Sequence, residues 1–324
     1  LILGKERINQ CSKYSLLRKK GVRKKSALRD YCSDAVKVFD YIDSTTPFVV
    51  KFGDSVGSTL DRNGLPMFNK FRPRVEWKNI EEDILKDRNC SIARSPALAD
   101  GTYLPIIWKL NTKRHYNPIK KILRYDIRWE KKIDKAFWRG GLTNGSPFGN
   151  LDRSDYDNCL LVPRCNLVLK YQDSLLVDAG VTKIQKDHPN SVNGTNLLKE
   201  TAHYEKMLTY KALISIEGND VSTSLKWMLF SRSVVLMPQP TKTSYAMEEL
   251  LKPWVHFIPI NSNLTNLEER VQWIKHNDKE AQKIAERGTI FMHDLLFHGS
   301  SSVDNKLIEL GIIERYKSFF VQAT

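Results

Sequence analysis

The run Glu217-Gly218-Asn219-Asp220-Val221-Ser222-Thr223-Ser224-Leu225-Lys226 joins a Gly-containing turn to the start of a helix. The first N–H groups of a helix have no intrahelical partner, and the helix dipole places positive partial charge there, so such a turn receives anions well. Gly218 and Asn219 shape the turn, Ser222, Thr223 and Ser224 add hydroxyl donors, and Lys226 adds a charge. An ordinary capped helix carries the same pattern, so the run needs context. Trp138-Arg139-Gly140-Gly141, with Arg164 before the apolar run Leu167-Val168-Leu169, supplies guanidinium groups suited to bidentate phosphate contact. Asp54 closes an apolar segment beside Gly53. A carboxylate there can serve as a general base or simply cap a turn. Asp155-Tyr156-Asp157 is a D-x-D pair of the kind that holds a divalent metal for a sugar nucleotide. It sits in a polar loop with no strand before it, and such pairs arise easily by chance, so no metal site is assigned.

The elements that must position these residues are clearest after residue 200. Ala212–Ile216 reads as a buried strand, Glu217–Asp220 as a turn, and Ser222 as the N-cap of a helix carried by Leu225, Met228 and Leu229. Ser233–Met237 reads as a second strand stopped by Pro238 and Pro240, residues 244–251 as a short helix, and His256–Ile260 as a third strand. Leu267, Val271 and Ile274 open a helical region running to about Leu296. Strand and helix in alternation predict a parallel sheet covered on both faces, with ligands outside the carboxyl ends of the strands. The first half is less regular. Pro47–Phe52 reads as a strand emptying into Gly53-Asp54, Trp77–Arg88 as a helix, the apolar run after Arg164 as a strand, and 139–158 as a loop-rich linker.

The chain has 324 residues and a net charge of +14, enough length for two domains of ordinary size. Residues 1–30 hold ten Lys or Arg against two acids, so +8 sits there and only +6 is spread over the remaining 294. That distribution describes a basic leader, solvated or bound to an anionic partner, and argues against a dedicated nucleic-acid-binding protein. No stretch approaches the roughly 18 apolar residues of a membrane span. The chain begins with Leu, which reads as a truncated amino terminus and leaves room for membrane association through a missing segment. Its five Cys form no CxxC and no zinc pattern, and because the number is odd at least one is free or paired to another chain. Sequons at Asn89, Asn144, Asn193 and Asn263 tilt the reading toward a secretory setting, the endoplasmic reticulum or Golgi lumen in a eukaryote.

Together these pieces resemble glycosyltransferase family 90, which includes fungal capsule-associated proteins, bacterial lipopolysaccharide-modifying proteins and animal protein O-glucosyltransferases. The residues that carry the resemblance are HYEKMLTYKALISIEGNDVSTSLKWMLFSRSVVLMP (203–238), LLKPWVHFIPI (250–260) and LEERVQWIKHNDKEAQKIAERGTIF (267–291). Upstream, FWRG (137–140) and PRCNLVLKYQDSLLVDAGVT (163–182) fit its pattern, and FVVKFGDS (48–55) and LNTKRHYNP (110–118) fit more loosely. The resemblance implies an α/β fold of GT-B type, two Rossmann-type domains facing across a cleft. It implies a uridine-diphosphate (UDP) sugar donor as co-substrate, glucose or xylose, with inverting, metal-independent transfer to a glycan or protein acceptor and no cofactor. The family's diphosphate-contacting Arg falls on Arg164, its donor turn on Gly218 to Ser224, and its proposed catalytic Asp on Asp54. Animal members carry Ser where this chain has Gly141 and Arg where it has Ser224; Lys226 can supply that charge. The EGNDVSTSLKW stretch is closer to the lipopolysaccharide-modifying branch. The implied domains are 1–134 on the acceptor side with the basic leader, 135–305 for the donor, and 306–324 as a helix packing back. A metal-dependent transferase using Asp155 and Asp157, or a non-enzymatic anion- or nucleic-acid-binding protein, are the competing readings.

Overall fold

The structure is a computed structural model that describes residues 26–42, 48–54, 67–74, 105–143, 155–184 and 190–321. In chain order it contains α1 (Ser26–Ala35), β1 (Val49–Val50), β2 (Met67–Asn69), β3 (Phe71–Pro73), β4 (Ile106–Ile107), α2 (Thr112–His115), α3 (Ile119–Tyr125), β5 (Ile133–Gly141), α4 (Tyr156–Leu161), α5 (Pro163–Tyr171) and β6 (Val177–Lys183). There follow β7 (Ser191–Val192), β8 (Thr195–Asn196), α6 (Tyr204–Met207), β9 (Tyr210–Ile214), α7 (Leu225–Phe230), β10 (Val234–Met237), β11 (Lys242–Ser244), β12 (Ile258–Pro259), α8 (Leu267–His276), α9 (Asp278–Leu296) and α10 (Ser301–Val321). The chain divides into two compact units. Unit 1 takes Leu1–Lys113, Thr241–Glu249 and His298–Thr324, and unit 2 takes Arg114–Pro240 and Leu250–Phe297.

Unit 2 is built on a five-stranded sheet in the order β12-β10-β9-β5-β6, with every neighbouring pair parallel. The predicted parallel α/β arrangement is therefore present. β9 (YKALI) and β10 (VVLM) are buried along their whole length, as expected of strands covered on both faces. Alternation along β5 sorts its side chains. Ala136 and Trp138 join a core with Val271 and Ile274 of α8, Ile284 of α9 and Leu167 of α5. Phe137 joins the opposite core with Ile119 and Ile122 of α3 and Trp227 and Met228 of α7. From β5 the chain adds β6 on one side, then crosses over to add β9, β10 and β12 on the other. This is a doubly wound order whose topological switch point lies between β5 and β9.

Unit 1 has a small parallel sheet, β1-β2-β4, and an antiparallel ladder of β3 with β11. Its core is aromatic: Phe48 and Tyr316 each lie 4.7 Å from Phe68 between ring centroids, and Trp108 meets Phe68 edge-on. Through Ile313 and Tyr316, α10 belongs to this core. No helix among the described residues is long and apolar enough to cross a membrane.

Four predicted elements differ. The helix after the Gly218 turn starts at Leu225, with Ser224 rather than Ser222 in the capping position and no side-chain cap bond. Residues 244–251 are not a helix. Glu248 turns back to accept from the Ser244 N–H at 2.6 Å and its hydroxyl at 2.8 Å, so the chain leaves β11 through a tight loop with one 3-10 turn, Glu248–Leu250. Leu167–Leu169 lies in helix α5, not in a strand, because Pro163 occupies the first helical turn, where its missing N–H costs nothing. The presumed linker begins inside β5 and ends inside α4. The helix expected at 77–88, the basic run before residue 26, Cys11, Cys90, Asn89 and Asn144 lie outside the described residues.

Candidate active site

Ligands of doubly wound sheets bind in the crevice outside the carboxyl ends of the strands at the switch point. In unit 2 that place is occupied by Arg164. Its Nη1 donates to the Gly141 carbonyl at the end of β5 (2.9 Å), and its Nη2 donates to the Ile216 carbonyl just past β9 (2.9 Å). One guanidinium thus ties together the two strand ends that flank the crossover. Its Cζ lies 6.0 Å from the centre of the Trp138 ring. The residue is partly exposed, while Nε is enclosed and has no hydrogen-bond partner among the described residues. Burial pulls the guanidinium down to about 10, opposed by the negative charge of Asp220 and reinforced by Arg114, so it stays protonated at neutral pH.

The turn after β9 rests on that guanidinium. A Cβ on Gly218 would come within 2.8 Å of the Thr143 hydroxyl and 3.0 Å of Arg164 Nη2, so any side chain there would push on both groups. The Gly218 N–H donates to the Asp220 carbonyl at 3.1 Å, which closes the turn. Gly218, Asn219, Thr223 and Ser224 remain partly exposed, whereas Asp220 and Ser222 are buried. The Ser222 and Ser224 hydroxyls lie 3.2 Å apart, and the Ser222 carbonyl accepts from the Leu225 N–H at 3.3 Å. Lys226 is 1 % exposed, among the most deeply buried side chains of the protein. Gly140 lies close against the Trp138 indole, and a Cβ there would come within 2.7 Å of it. The structure therefore brings Arg164 and Gly218 together, with Gly140 against the Trp138 ring that lies near the guanidinium, and Asn219, Thr223 and Ser224 follow on the same turn as Gly218.

Arg139 is not part of it. Stacked 4.5 Å over the Phe137 ring, it lies against the opposite face of β5. Its donors are taken by the carbonyls of Trp138 (2.9 Å), Asp178 (3.0 Å) and Glu200 (3.3 Å) and by the Asp178 carboxylate (2.9 Å). Asp54 belongs to unit 1, where Lys70 Nζ donates to its Oδ1 at 2.5 Å and the Tyr31 hydroxyl approaches the same oxygen at 3.5 Å. Lys70 is itself buried, with its ammonium 5.5 Å from the Tyr31 ring, and Gly53 turns the backbone ahead of Asp54 at φ +115°. Burial raises the Tyr31 phenol against the lowering pull of Lys70. Asp155 caps α4 by accepting from the Asn158 N–H at 2.9 Å, and Asp157 sits in that helix's first turn. Among the described residues no three His, Cys, Asp or Glu side chains converge as a metal site.

Three participants carried no sequence signal: the carbonyls of Gly141 and Ile216, the Lys70 partner of Asp54, and a disulfide between Cys159 and Cys165. Cys32 is disulfide-bonded as well.

A family model described as Glycosyl transferase family 90 matches residues 109–300, more than half of the chain. Protein O-glucosyltransferase 2 of Danio rerio is 32% identical over 164 residues, which is 50% of this chain and 29% of that protein. Protein O-glucosyltransferase 1 of Homo sapiens is 32% identical over 168 residues, covering 52% of this chain and 38% of that protein. O-glucosyltransferase LpsA of Dichelobacter nodosus is 32% identical over 94 residues, 29% of this chain and 30% of that protein. The chain thus spans about a third of the length of these curated relatives. The matched stretch contains β5, Arg164, the Gly218 turn and the whole parallel sheet, and by that match the chain belongs to glycosyl transferase family 90.

Proposed function

We propose that the chain is an inverting, metal-independent glycosyltransferase that moves a sugar, glucose or xylose, from a UDP-sugar to a hydroxyl of a glycan or protein. The observation that carries this reading is Arg164 spanning the switch point with the Gly218 turn against its guanidinium. The names of the relatives, O-glucosyltransferases of animal and bacterial origin, point to the same chemistry. We further propose the GT-B arrangement that the resemblance implies, with unit 2 holding the donor and unit 1 the acceptor.

In the proposed reaction the acceptor oxygen attacks the anomeric carbon as Asp54 takes its proton. The bond from that carbon to the diphosphate oxygen breaks, and the electron pair leaves with UDP. Negative charge grows on the leaving diphosphate, where Arg164 and the donors of Asn219, Thr223 and Ser224 would oppose it. A preplaced donor at developing charge is typically worth about 3 kcal/mol. Lys226, being buried, would act on the site through the field of its charge and its anchoring of α7. The Cys159–Cys165 bridge and the oxidised Cys32 support an oxidising compartment such as the secretory lumen.

The test is Asp54→Asn, which keeps size and removes basicity. UDP binding by calorimetry should survive while transfer falls ~10²–10⁴-fold, the usual contribution of a positioned base. Normal transfer would place the base elsewhere. Hydrolysis of a panel of nucleotide sugars without acceptor names the donor; a chain that hydrolyses none and binds no UDP would sink the proposal.

A further inference from the structure

We infer that the Cys159–Cys165 disulfide is a positioning device for Arg164, a role that rests on the reading of Arg164 as the diphosphate anchor. Arg164 stands between Pro163 and Cys165, at the start of α5. The chain breaks just before it: α4 ends at Leu161, Val162 is extended at φ −91° and ψ 112°, and α5 opens on Pro163. Extended backbone is what a following proline demands, so the break is built into the sequence. The disulfide spans this break with its Cα atoms 5.3 Å apart. Inside the span the Val162 N–H donates to Cys159 O at 3.0 Å, and Val162 O accepts from the Cys165 and Asn166 N–H groups, each at 2.9 Å.

Both cysteines are fully buried, in the same core as the Trp138 ring that lies near the guanidinium. The residue next to Arg164 is therefore bonded covalently into the packed wall of the site. An arginine side chain loses much rotamer freedom when it is fixed, and its two carbonyl partners come from separate strands. Holding its backbone fixes where the fork can reach before any ligand arrives, which is the condition for preorganised charge stabilisation. The entropic stabilisation from a cross-link grows with the loop it closes, so a bridge across six positions lies at the low end for the whole chain. Its effect is expected locally, at Arg164.

The experiment measures UDP affinity by calorimetry, and global stability by thermal unfolding, on four proteins: wild type, Cys159→Ala/Cys165→Ala, Arg164→Ala and the triple variant. A further pair, Cys159→Val/Cys165→Ala, refills lost volume and separates packing from cross-linking. Both cysteine pairs should bind UDP roughly tenfold more weakly, the size of effect expected when a charge-assisted hydrogen bond to the ligand is weakened. The triple variant should bind no more weakly than Arg164→Ala alone, because the disulfide acts through that side chain. Wild-type affinity in the cysteine pairs, with Arg164→Ala still weakened, overturns this inference and leaves the donor site standing. Additive losses in the triple variant also overturn it. A cysteine variant that fails to fold shows a global structural role and overturns the local one. Wild-type affinity in Arg164→Ala overturns both this inference and the reading on which it rests.

Discussion

Arg139 and Arg164 stand on opposite faces of the same strand end and are the same residue type, yet their surroundings make them different groups. Arg139 gives its donors to three carbonyls and the Asp178 carboxylate, and it is neutralised where it stands. Arg164 gives two donors to carbonyls at the carboxyl ends of β5 and β9 and, among the described residues, its enclosed Nε has no hydrogen bond and no carboxylate is bonded to it, although the charge of Asp220 is felt. A carbonyl orients a guanidinium without cancelling its charge. A carboxylate does cancel it. The first arrangement fits a residue that waits for an anion at a switch point, and the second fits a brace between β5 and β6.

The comparison breaks most sharply on Arg164→Ala. Hydrogen bonds to charged groups contribute about 1.5–3 kcal/mol, so UDP should bind roughly 10–100-fold more weakly, and the thermal transition should fall as well because the Gly141 and Ile216 carbonyls lose their donor. Arg164→Lys should lose most of the same affinity, because an ammonium cannot span two carbonyls and an anion in one plane. Arg139→Ala in the same calorimetric series should bind UDP as wild type does; weakened binding there would erase the distinction. Gly218→Ala comes next. Its methyl would press on the Thr143 hydroxyl at 2.8 Å and on Arg164 Nη2 at 3.0 Å, so the guanidinium must yield by a few tenths of an ångström. Several-fold weaker UDP binding is expected, and the effect should vanish in an Arg164→Ala background.

The fold of unit 2 was legible because its signals are local. Ile214, Val234–Leu236 and Ile258 fall on strands whose ends are marked by the Gly218 turn, Pro238 and Pro259, and all three strands were foreseen. The residue at the switch point was also legible, through a family pattern, and its setting confirms that Arg164 and Gly218 meet. The rest needed three-dimensional information. β11 pairs with β3, a partner about 170 positions earlier, and nothing near Lys242 announces it. The grouping of Arg139 with Arg164 followed from shared residue type; which face of β5 each occupies depends on the strand's phase and on Asp178. Pro163 was a readable helix-start signal that the apolar run Leu167–Leu169 obscured.

The smallest expected effect concerns the brace itself and reads out in pH. Burial alone would raise the Asp178 carboxyl. Hydrogen bonds from Lys199 at 3.0 Å and Arg139 at 2.9 Å, with their charges, outweigh it and hold Asp178 below the ordinary aspartate value of 3.8. A carboxyl held lower in the folded protein than in the unfolded chain stabilises the fold above the unfolded value. That contribution is lost as pH falls through the folded value. Removing Arg139 takes away one of the two bonded cations and leaves Lys199, which is more exposed, so part of the acid-sensitive stability should disappear. Arg139→Ala should therefore cost about 1–3 kcal/mol near neutral pH. As pH falls below 3.8 and through the folded value of Asp178, the gap between variant and wild type should narrow, because protonated Asp178 no longer rewards either cation. Thermal unfolding of both proteins from pH 7 down through that folded value checks this. A gap that stays constant would mean that Arg139 braces the sheet through the Trp138, Asp178 and Glu200 carbonyls alone, and a wider gap at low pH would mean that the Asp178 pair has the opposite sign.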